Sequence, residues 1–247
     1  MASPSLVDLH CHILPGIDDG ADDIADAVEM ARQAAADGIA TVCATPHIRH
    51  DHDVRIHELE ERVAALNAEL AAREVPVSVV AAGEVAQTAL GGLSDDELRR
   101  VSLGGRWILL EPAPGPLSEP LVEAAQLLRE RGYRSLIAHP ERHPGADMHD
   151  VLARLIEDGC LVQATAALLA EGEASDAMLA MARAGLVHVL GSDSHSAHYG
   201  RPVRLSPALS RLEAEPELRP HLDWIAREAP AGIVKGEELD PPVPAAP

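Results

Sequence analysis

Histidines and carboxylates recur in short clusters along this chain: His10-Cys11-His12, Thr45-Pro46-His47, Gly83-Glu84, Glu111-Pro112, Ala138-His139-Pro140-Glu141-Arg142 and Ser192-Asp193-Ser194-His195. His10 and His12, like Asp193 and His195, are two residues apart, so on an extended chain each pair points to one side. Two adjacent imidazoles repel when protonated, but as neutral groups they chelate a cation. Imidazole mixed with carboxylate, without a suitably placed Cys, favours borderline or hard divalent ions such as Mn, Fe or Zn. A lone His-x-His is commonplace, and Glu84 or Glu111 alone would read equally as a salt-bridged carboxylate. Their joint placement is what carries the chemistry.

That placement follows from the elements around the clusters. Short apolar runs at Leu6–His10, Ile39–Ala44, Val77–Ala82, Arg106–Leu110, Ser135–Ala138, Leu161–Ala164 and Leu186–Leu190 read as strands. Helical periodicity covers Asp22–Ala36, Val54–Arg73, Asp95–Val101, Ser118–Arg131, Met148–Asp158, Glu173–Ala184 and a terminal segment around Pro207–Arg227. Gly38, Gly132, Gly159 and Gly185 stand where left-handed C-cap residues belong. Strands alternating with helices imply a mostly parallel sheet, and a single β/α barrel needs about 250 residues. The chain has 247. Six of the seven expected strands end, on the carboxyl side, in His, Asp or Glu; the strand ending near Gln163-Ala164-Thr165 does not. In a parallel β/α fold these ends face one side, where active sites are built.

Composition bounds the rest. Apolar residues make up 47% of the chain, but with no Phe, two Trp and two Tyr the core must be aliphatic. Acidic residues outnumber basic ones 40 to 20, giving a formal net charge of −20. That balance lacks the basic footprint of nucleic-acid binding and disfavours a nuclease. Most of the acidity reads as a solvated surface, with a smaller share available as ligand charge. Cys11, Cys43 and Cys160 form no disulfide framework, and no run reaches the length of a membrane span. A cytoplasmic protein is expected, as one domain over residues 1–239 with a disordered Pro-rich tail at 240–247. His188, inside a strand, reads as a core histidine. His50, His52 and His57 read as solvated, with His50 and His52 near enough to border the pocket.

The run Asp8-Leu9-His10-Cys11-His12-Ile13-Leu14-Pro15-Gly16-Ile17-Asp18-Asp19-Gly20-Ala21 resembles the first motif of the polymerase-and-histidinol-phosphatase superfamily. More narrowly it is similar to the bacterial capsule-type protein-tyrosine phosphatases within it. The remaining clusters follow in the family's order, so the resemblance runs from about Val7 to Arg201. It implies a distorted (β/α)7 barrel holding three divalent ions, with Mn favoured and Fe or Zn acceptable. One ion would take His10, His12, Glu84 and Asp193. A second would share Glu84 and add Glu111 and His139, and a third would take Asp19, His47 and His195. Spacing alone does not separate Asp19 from Asp18; the resemblance selects Asp19. Arg142 and Arg201 match arginines that approach the substrate phosphate. Ile48, where relatives carry a second His, and Ala164-Thr165-Ala166-Ala167, where an Asn-containing stretch is expected, depart from the pattern.

The implied reaction is hydrolysis of a phosphate monoester. Paired divalent ions hold a bridging hydroxide and clamp the oxygens of an in-line displacement. Forked arginines match phosphoryl oxygens in a way Lys cannot. A phenolate, with a conjugate acid near pKa 10, leaves without a general acid. An alkyl leaving group would want one, for which His143, His198 and a metal-bound water are the candidates. The family points to a phosphotyrosine protein, such as a bacterial tyrosine kinase controlling exopolysaccharide export. A small phosphate ester (histidinol phosphate or a nucleotide) and a non-catalytic metal-holding regulatory domain are the alternatives. A rival chemistry lies in Cys43-Ala44-Thr45-Pro46-His47-Ile48-Arg49, which matches the C-x5-R spacing of thiolate phosphatases. Against it, the loop has no Gly, and Pro46 removes an N–H that a phosphate cradle needs.

Overall fold

The computed structural model describes residues 5–242. Its elements run β1 (Leu6–Cys11), α1 (Ile24–Ala36), β2 (Ile39–Ala44), β3 (His47–Ile48), α2 (Leu59–Ala72), β4 (Ser78–Ala81), β5 (Glu84–Ala86) and α3 (Asp95–Val101). There follow β6 (Trp107–Glu111), α4 (Glu119–Glu130), β7 (Arg134–Ala138), α5 (Met148–Glu157), β8 (Leu161–Thr165), α6 (Ala166–Ala170) and α7 (Ser175–Arg183). The chain then forms β9 (Val189–Gly191), α8 (Ser206–Glu213) and α9 (Ala229–Val234). Every strand pairing is parallel.

The seven expected strand positions are present in consecutive order, but the second and third are each broken in two. β2 and β3 share one position, and β4 and β5 the next, so the sheet divides into β1-β2-β4 and β3-β5-β6-β7-β8-β9. Pro46 lies at the first break and has no N–H for the ladder. Hydrogen bonds nevertheless cross it: Thr45 N donates to Cys11 O at 3.0 Å, Ala82 N to Ala44 O at 3.0 Å and Glu84 N to Pro46 O at 3.0 Å. At the far edge, Asp193 N donates to His10 O at 2.8 Å and His12 N to Ser194 O at 2.9 Å. The last strand position therefore lies beside the first, in the distorted β/α barrel expected from the sequence.

Alternation along the strands separates two apolar clusters, because successive side chains face opposite ways. Ile108, Leu110, Ile137, Val162 and Val42 belong to the larger cluster, which includes the apolar faces of the helices. Trp107, Leu109, Leu136, Ala138, Leu161 and Cys43 form the smaller one with Ala229 and Ile233 of α9. The C-terminal segment thus plugs the barrel at the strand starts. Trp107 Nε1 donates to Glu237 O at 2.9 Å and Arg106 Nε to Gly236 O at 2.8 Å.

The strand bounds match expectation to within one or two residues, except that β9 begins at Val189 rather than Leu186. The four expected C-cap glycines all have left-handed φ, from +72° to +88°. The helix expected from Val54 starts only at Leu59, after a 3-10 turn at Ile56–Glu58. The single terminal helix expected around Pro207–Arg227 is replaced by α8, a 3-10 turn at Arg219–His221, a π-helical turn at Trp224–Glu228 and α9. Pro216 and Pro220, which cannot continue an i→i−4 ladder, lie in that stretch. Of the expected tail, residues 240–242 are irregular and residues 243–247 lie outside the described residues. Among the described residues no helix is long and apolar enough to cross a membrane. His188 is a buried core residue: its Nδ1 accepts from Val162 N at 3.0 Å, and burial pushes its pKa down to about 4.

The seal between Gly104 and Gly236 gives a stability test. Gly104 has φ +59°, and a Cβ there would lie 2.2 Å from Gly236 N, whereas a Cβ on Gly105, at φ +75°, meets nothing within 4 Å. Gly105→Ala therefore costs only backbone strain, about 1 kcal/mol, while Gly104→Ala adds a main-chain clash and costs about 2–4 kcal/mol. Thermal denaturation should show a distinctly larger fall in Tm for the second variant. Equal falls would mean that the C-terminal segment does not seal the barrel.

Candidate metal centre

The expected ligands converge at the carboxyl ends of the strands. Glu84, at the start of β5, is fully buried, and its carboxylate lies at the centre of four imidazoles. Its Oε1 is 2.7 Å from His139 Nε2. Its Oε2 is 3.4 Å from His10 Nε2, 3.5 Å from His12 Nε2 and 2.8 Å from His47 Nδ1. Burial works against the Glu84 charge, but the surrounding rings, His10 foremost, hold its carboxyl well below the usual range. Glu111, at the end of β6, behaves oppositely: burial and then the charge of Glu84 push its pKa up. Two carboxylates in one desolvated pocket repel unless a cation lies between them.

Four groups offer converging ligand atoms within 4.8 Å of one another: His12, Asp19, His47 and His195; His10, His12 and Asp193; His10, Glu84 and His139; and His47, Glu84 and Glu111. Together they contain all nine residues anticipated as ligands. Glu111 joins Glu84 with His47, however, rather than with His139. The donor set fits divalent cations on a further ground. His47 Nδ1, Glu84 Oε2, Glu111 Oε2 and His139 Nδ1 are buried without a hydrogen bond, the first two lying close but lacking the alignment one requires. His10 Nε2 and His12 Nε2 face each other at 3.2 Å, as two lone pairs would around a shared ion.

The rings are oriented from behind. Gln163 Oε1 lies 2.9 Å from His10 Nδ1, and Asp18 Oδ2 lies 2.8 Å from His12 Nδ1. Each partner accepts the Nδ1 proton and so leaves Nε2 as a lone pair directed into the site. Burial alone would lower the His12 pKa, but its hydrogen bonds to Asp18 and Glu84 raise it to about 9. Asp18 is lowered to about 2 against its own burial by the same contact. Asp18 also accepts from Gly20 N at 3.0 Å and His47 N at 3.0 Å. The structure thus separates the two aspartates that spacing could not: Asp18 braces the loop, and Asp19 faces His47 Nε2 at 3.4 Å and His195 Nε2 at 3.6 Å. Burial, reinforced by the charge on His12, lowers His195 to about 3. Gly191 permits the Gln163–His10 pair, since a Cβ there would sit 2.7 Å from His10 Cβ and 2.9 Å from Gln163 Nε2.

Asp193 ties the arginines to this centre. Arg142 Nη2 donates to its Oδ2, and Arg201 reaches its Oδ2 at 3.1 Å and its main-chain oxygen at 2.6 and 2.9 Å. Asp193 has φ +50° and His139 φ +30°, left-handed conformations rare outside Gly. Backbone strain held at two residues of one centre is characteristic of functional sites. Asp8, unassigned in the sequence, is fully buried. Its Oδ1 accepts from His10 N at 3.2 Å and Ser192 N at 2.9 Å, joining the first strand to the last.

The mouth of the centre is a cavity of about 370 Å³ lined by Asp19, His47, Glu111, His195, Arg142 and Arg201, with Arg49, Tyr199 and Gly200. Arg49, which sequence reasoning considered only as part of the thiolate motif, donates to Glu111 Oε1 at 3.2 Å. His52 stacks on His47 with ring centroids 5.1 Å apart and borders the site, while His50 and His57 are exposed. His143 is buried with Nδ1 2.9 Å from Gly115 O, and His198 is exposed; neither lines the cavity. Of the residues missed, Gln163 had a signal: it ends the one strand that lacked a ligand. Asp8 and Asp18 had none beyond lying inside the first motif.

The comparisons with known proteins agree with this geometry. Residues 6–218 match the family described as capsular polysaccharide synthesis, CpsB/CapC. Tyrosine-protein phosphatase YwqE of Bacillus subtilis is 35% identical over 223 residues, 85% of each chain. A solved structure among those described as YwqE from Bacillus subtilis and CpsB from Streptococcus pneumoniae, unique metal-dependent tyrosine phosphatases, superposes with a TM-score of 0.85 at 30% identity. It covers 98% of this chain and 99% of that one. The phosphotriesterase homology protein of Escherichia coli shares the fold alone, with a TM-score of 0.58 at 17% identity over 95% of this chain and all of that one.

The thiolate alternative fails on geometry. Cys43 is fully buried in the inner apolar cluster, and burial, with the Asp8 charge adding to it, pushes its thiol far up. Iodoacetamide should leave Cys43 of the native protein unmodified by mass spectrometry and label it only in denaturant. Rapid native labelling of Cys43 with loss of activity would return the thiolate mechanism to consideration.

Proposed function

The chain belongs to the CpsB/CapC family, and from that premise we propose that it is a metal-dependent phosphatase that hydrolyses phosphotyrosine in a protein substrate. The observation that carries the reading is Glu84: a fully buried carboxylate among four imidazoles, with ligand atoms left over that no protein group satisfies. We assign three divalent ions, with Mn favoured and Fe or Zn acceptable to the same donors. His10, His12, Asp193 and Glu84 would hold the first, and Asp19, His47 and His195 the third. Glu84 and Glu111 would hold the second, with His139 as the resemblance implies and with His47, which the geometry groups with both carboxylates. When bound, such ions supply an activated water and neutralise charge on the transferring phosphoryl group.

The chain's own residues do the remainder. Arg142 enters the cavity from the turn after β7 and Arg201 from the loop between β9 and α8, with Asp193 fixing both guanidinium groups. Forked donors so placed can take the phosphoryl oxygens bidentately and align the ester for in-line attack. Gln163 and Asp18 keep the His10 and His12 lone pairs aimed inward. Among the described residues, the imidazoles and carboxylates that line the cavity all belong to the metal groups. That favours an ester whose alcohol leaves unaided, as a phenol of pKa near 10 does, over an alkyl phosphate. The proposed substrate is a phosphotyrosine protein, such as a bacterial tyrosine kinase acting in capsule or exopolysaccharide synthesis.

Hydrolysis of a phosphotyrosine peptide, measured beside histidinol phosphate with and without chelator, tests the reading. Chelation should abolish peptide turnover, and added Mn should restore it. Glu84→Gln should lower kcat/KM by more than about 10³-fold, because it weakens more than one ion position at once. Gln163→Leu should weaken metal binding about 10–100-fold, the usual loss for an outer partner of a ligand histidine. Turnover that survives chelation, or exclusive cleavage of histidinol phosphate, would overturn the assignment.

A further inference from the structure

We infer that Tyr199 is a specificity-determining residue, presenting the apolar face on which the aromatic ring of an aryl phosphate rests. The inference builds on the phosphatase reading and adds the part of the substrate that the metal centre does not address. It starts from an anomaly of composition. The chain has four Trp and Tyr residues and no Phe. Trp107 is buried, and Trp224 and Tyr133 pack against the apolar clusters. Tyr199 is 54% exposed, the most exposed of the large apolar side chains among the described residues, and it lines the mouth of the metal centre. A chain so poor in aromatic residues leaves one uncovered at the place where a substrate enters.

The loop that carries the ring is held in position. Tyr199 lies in a loop fastened on both sides: Ala197 N donates to Asp26 Oδ1 at 2.8 Å, Gln33 Nε2 to Ala197 O at 2.9 Å and Val203 N to Gln33 Oε1 at 3.2 Å. Ser194 Oγ donates to Arg201 O at 2.7 Å. Gly200, at φ +72°, turns the chain between Tyr199 and Arg201, whose side chain is fixed on Asp193 O. Tyr199 lines the same cavity as Arg142 and Arg201. An aromatic platform sharing one cavity with phosphate-holding guanidinium groups matches an ester whose ring and phosphoryl group are joined by one oxygen. An alkyl phosphate would offer no flat face to meet it, and offset or edge-to-face aromatic pairs bind beyond their area burial.

The test compares phenylphosphonate with methylphosphonate as ligands of the full-length, Mn-loaded protein by titration calorimetry, beside KM for a phosphotyrosine peptide. Tyr199→Ala, with its folding checked by thermal denaturation, should weaken phenylphosphonate and raise peptide KM about 3- to 10-fold, leaving methylphosphonate affinity within about twofold. Tyr199→Phe should keep the preference for the aryl ligand. Equal weakening of both phosphonates, no weakening of either, or the same loss in Tyr199→Phe would overturn the inference. The two readings fail separately. A wild-type protein that prefers phenylphosphonate through Tyr199 yet cleaves no phosphotyrosine removes the phosphatase assignment. One that cleaves phosphotyrosine without that preference removes the role of Tyr199.

Discussion

A buried carboxylate whose close partners, among the described residues, are imidazoles rather than Lys or Arg is the constraint on which this fold depends. Glu84 is removed from water among imidazoles that are themselves largely buried, and desolvation of a lone carboxylate costs several kcal/mol unless it is compensated. The compensation is distributed: His10 and His12 come from the first strand position, His47 from the second and His139 from the fifth. No single element could supply it. The barrel exists, in this sense, to bring the ends of three other strand positions to one carboxylate, and the main-chain bonds from Asp193 and His12 across the seam fix the last strand position against the first. The left-handed conformations of His139 and Asp193 are the local cost of that convergence.

Much of this was legible because strands betray themselves by composition and their ends by position. A run such as Trp107–Leu110, apolar throughout, followed at once by Glu111-Pro112, marks both a buried strand and the side on which its chemistry lies. The ligand residues at strand ends follow from the same logic, whereas Asp19 and the grouping of ligands by ion came from the resemblance; all nine lie together in the structure. Pairing within the cluster was less legible. Placing Glu111 with His47 depends on how β3 and β5 turn away from β2 and β4, a kink that Pro46 permits but whose angle no spacing rule gives. Asp18 and Asp19 differ only in which way a loop turns them. The single helix expected around Pro207–Arg227 is broken into separate turns because Pro216 and Pro220, inside it, cannot continue the ladder.

The C-x5-R match shows the complementary failure. Spacing records which residue types are near in sequence and says nothing of desolvation. Cys43 alternates inward on β2 toward Leu109 and Leu136, while His47, four residues on, has already turned to the metal centre. Arg49 does reach the mouth, but it is engaged by Glu111 and Asp51. One short segment therefore contributes to the apolar plug, to the ligand cluster and to the rim.

The C-terminal plug bears on how the molecule is made. Residues 224–239 fill the strand-start end of the barrel and cap Trp107, yet they lie beyond the stretch shared with the family at residues 6–218. During synthesis every ligand of the centre leaves the ribosome before the segment that completes the interior. Chains emerge at about 5–20 residues per second, so the nascent barrel spends on the order of seconds with its inner row of Leu, Val and Trp side chains open at one end. The ligand cluster, whose last member is His195, is complete in sequence by then.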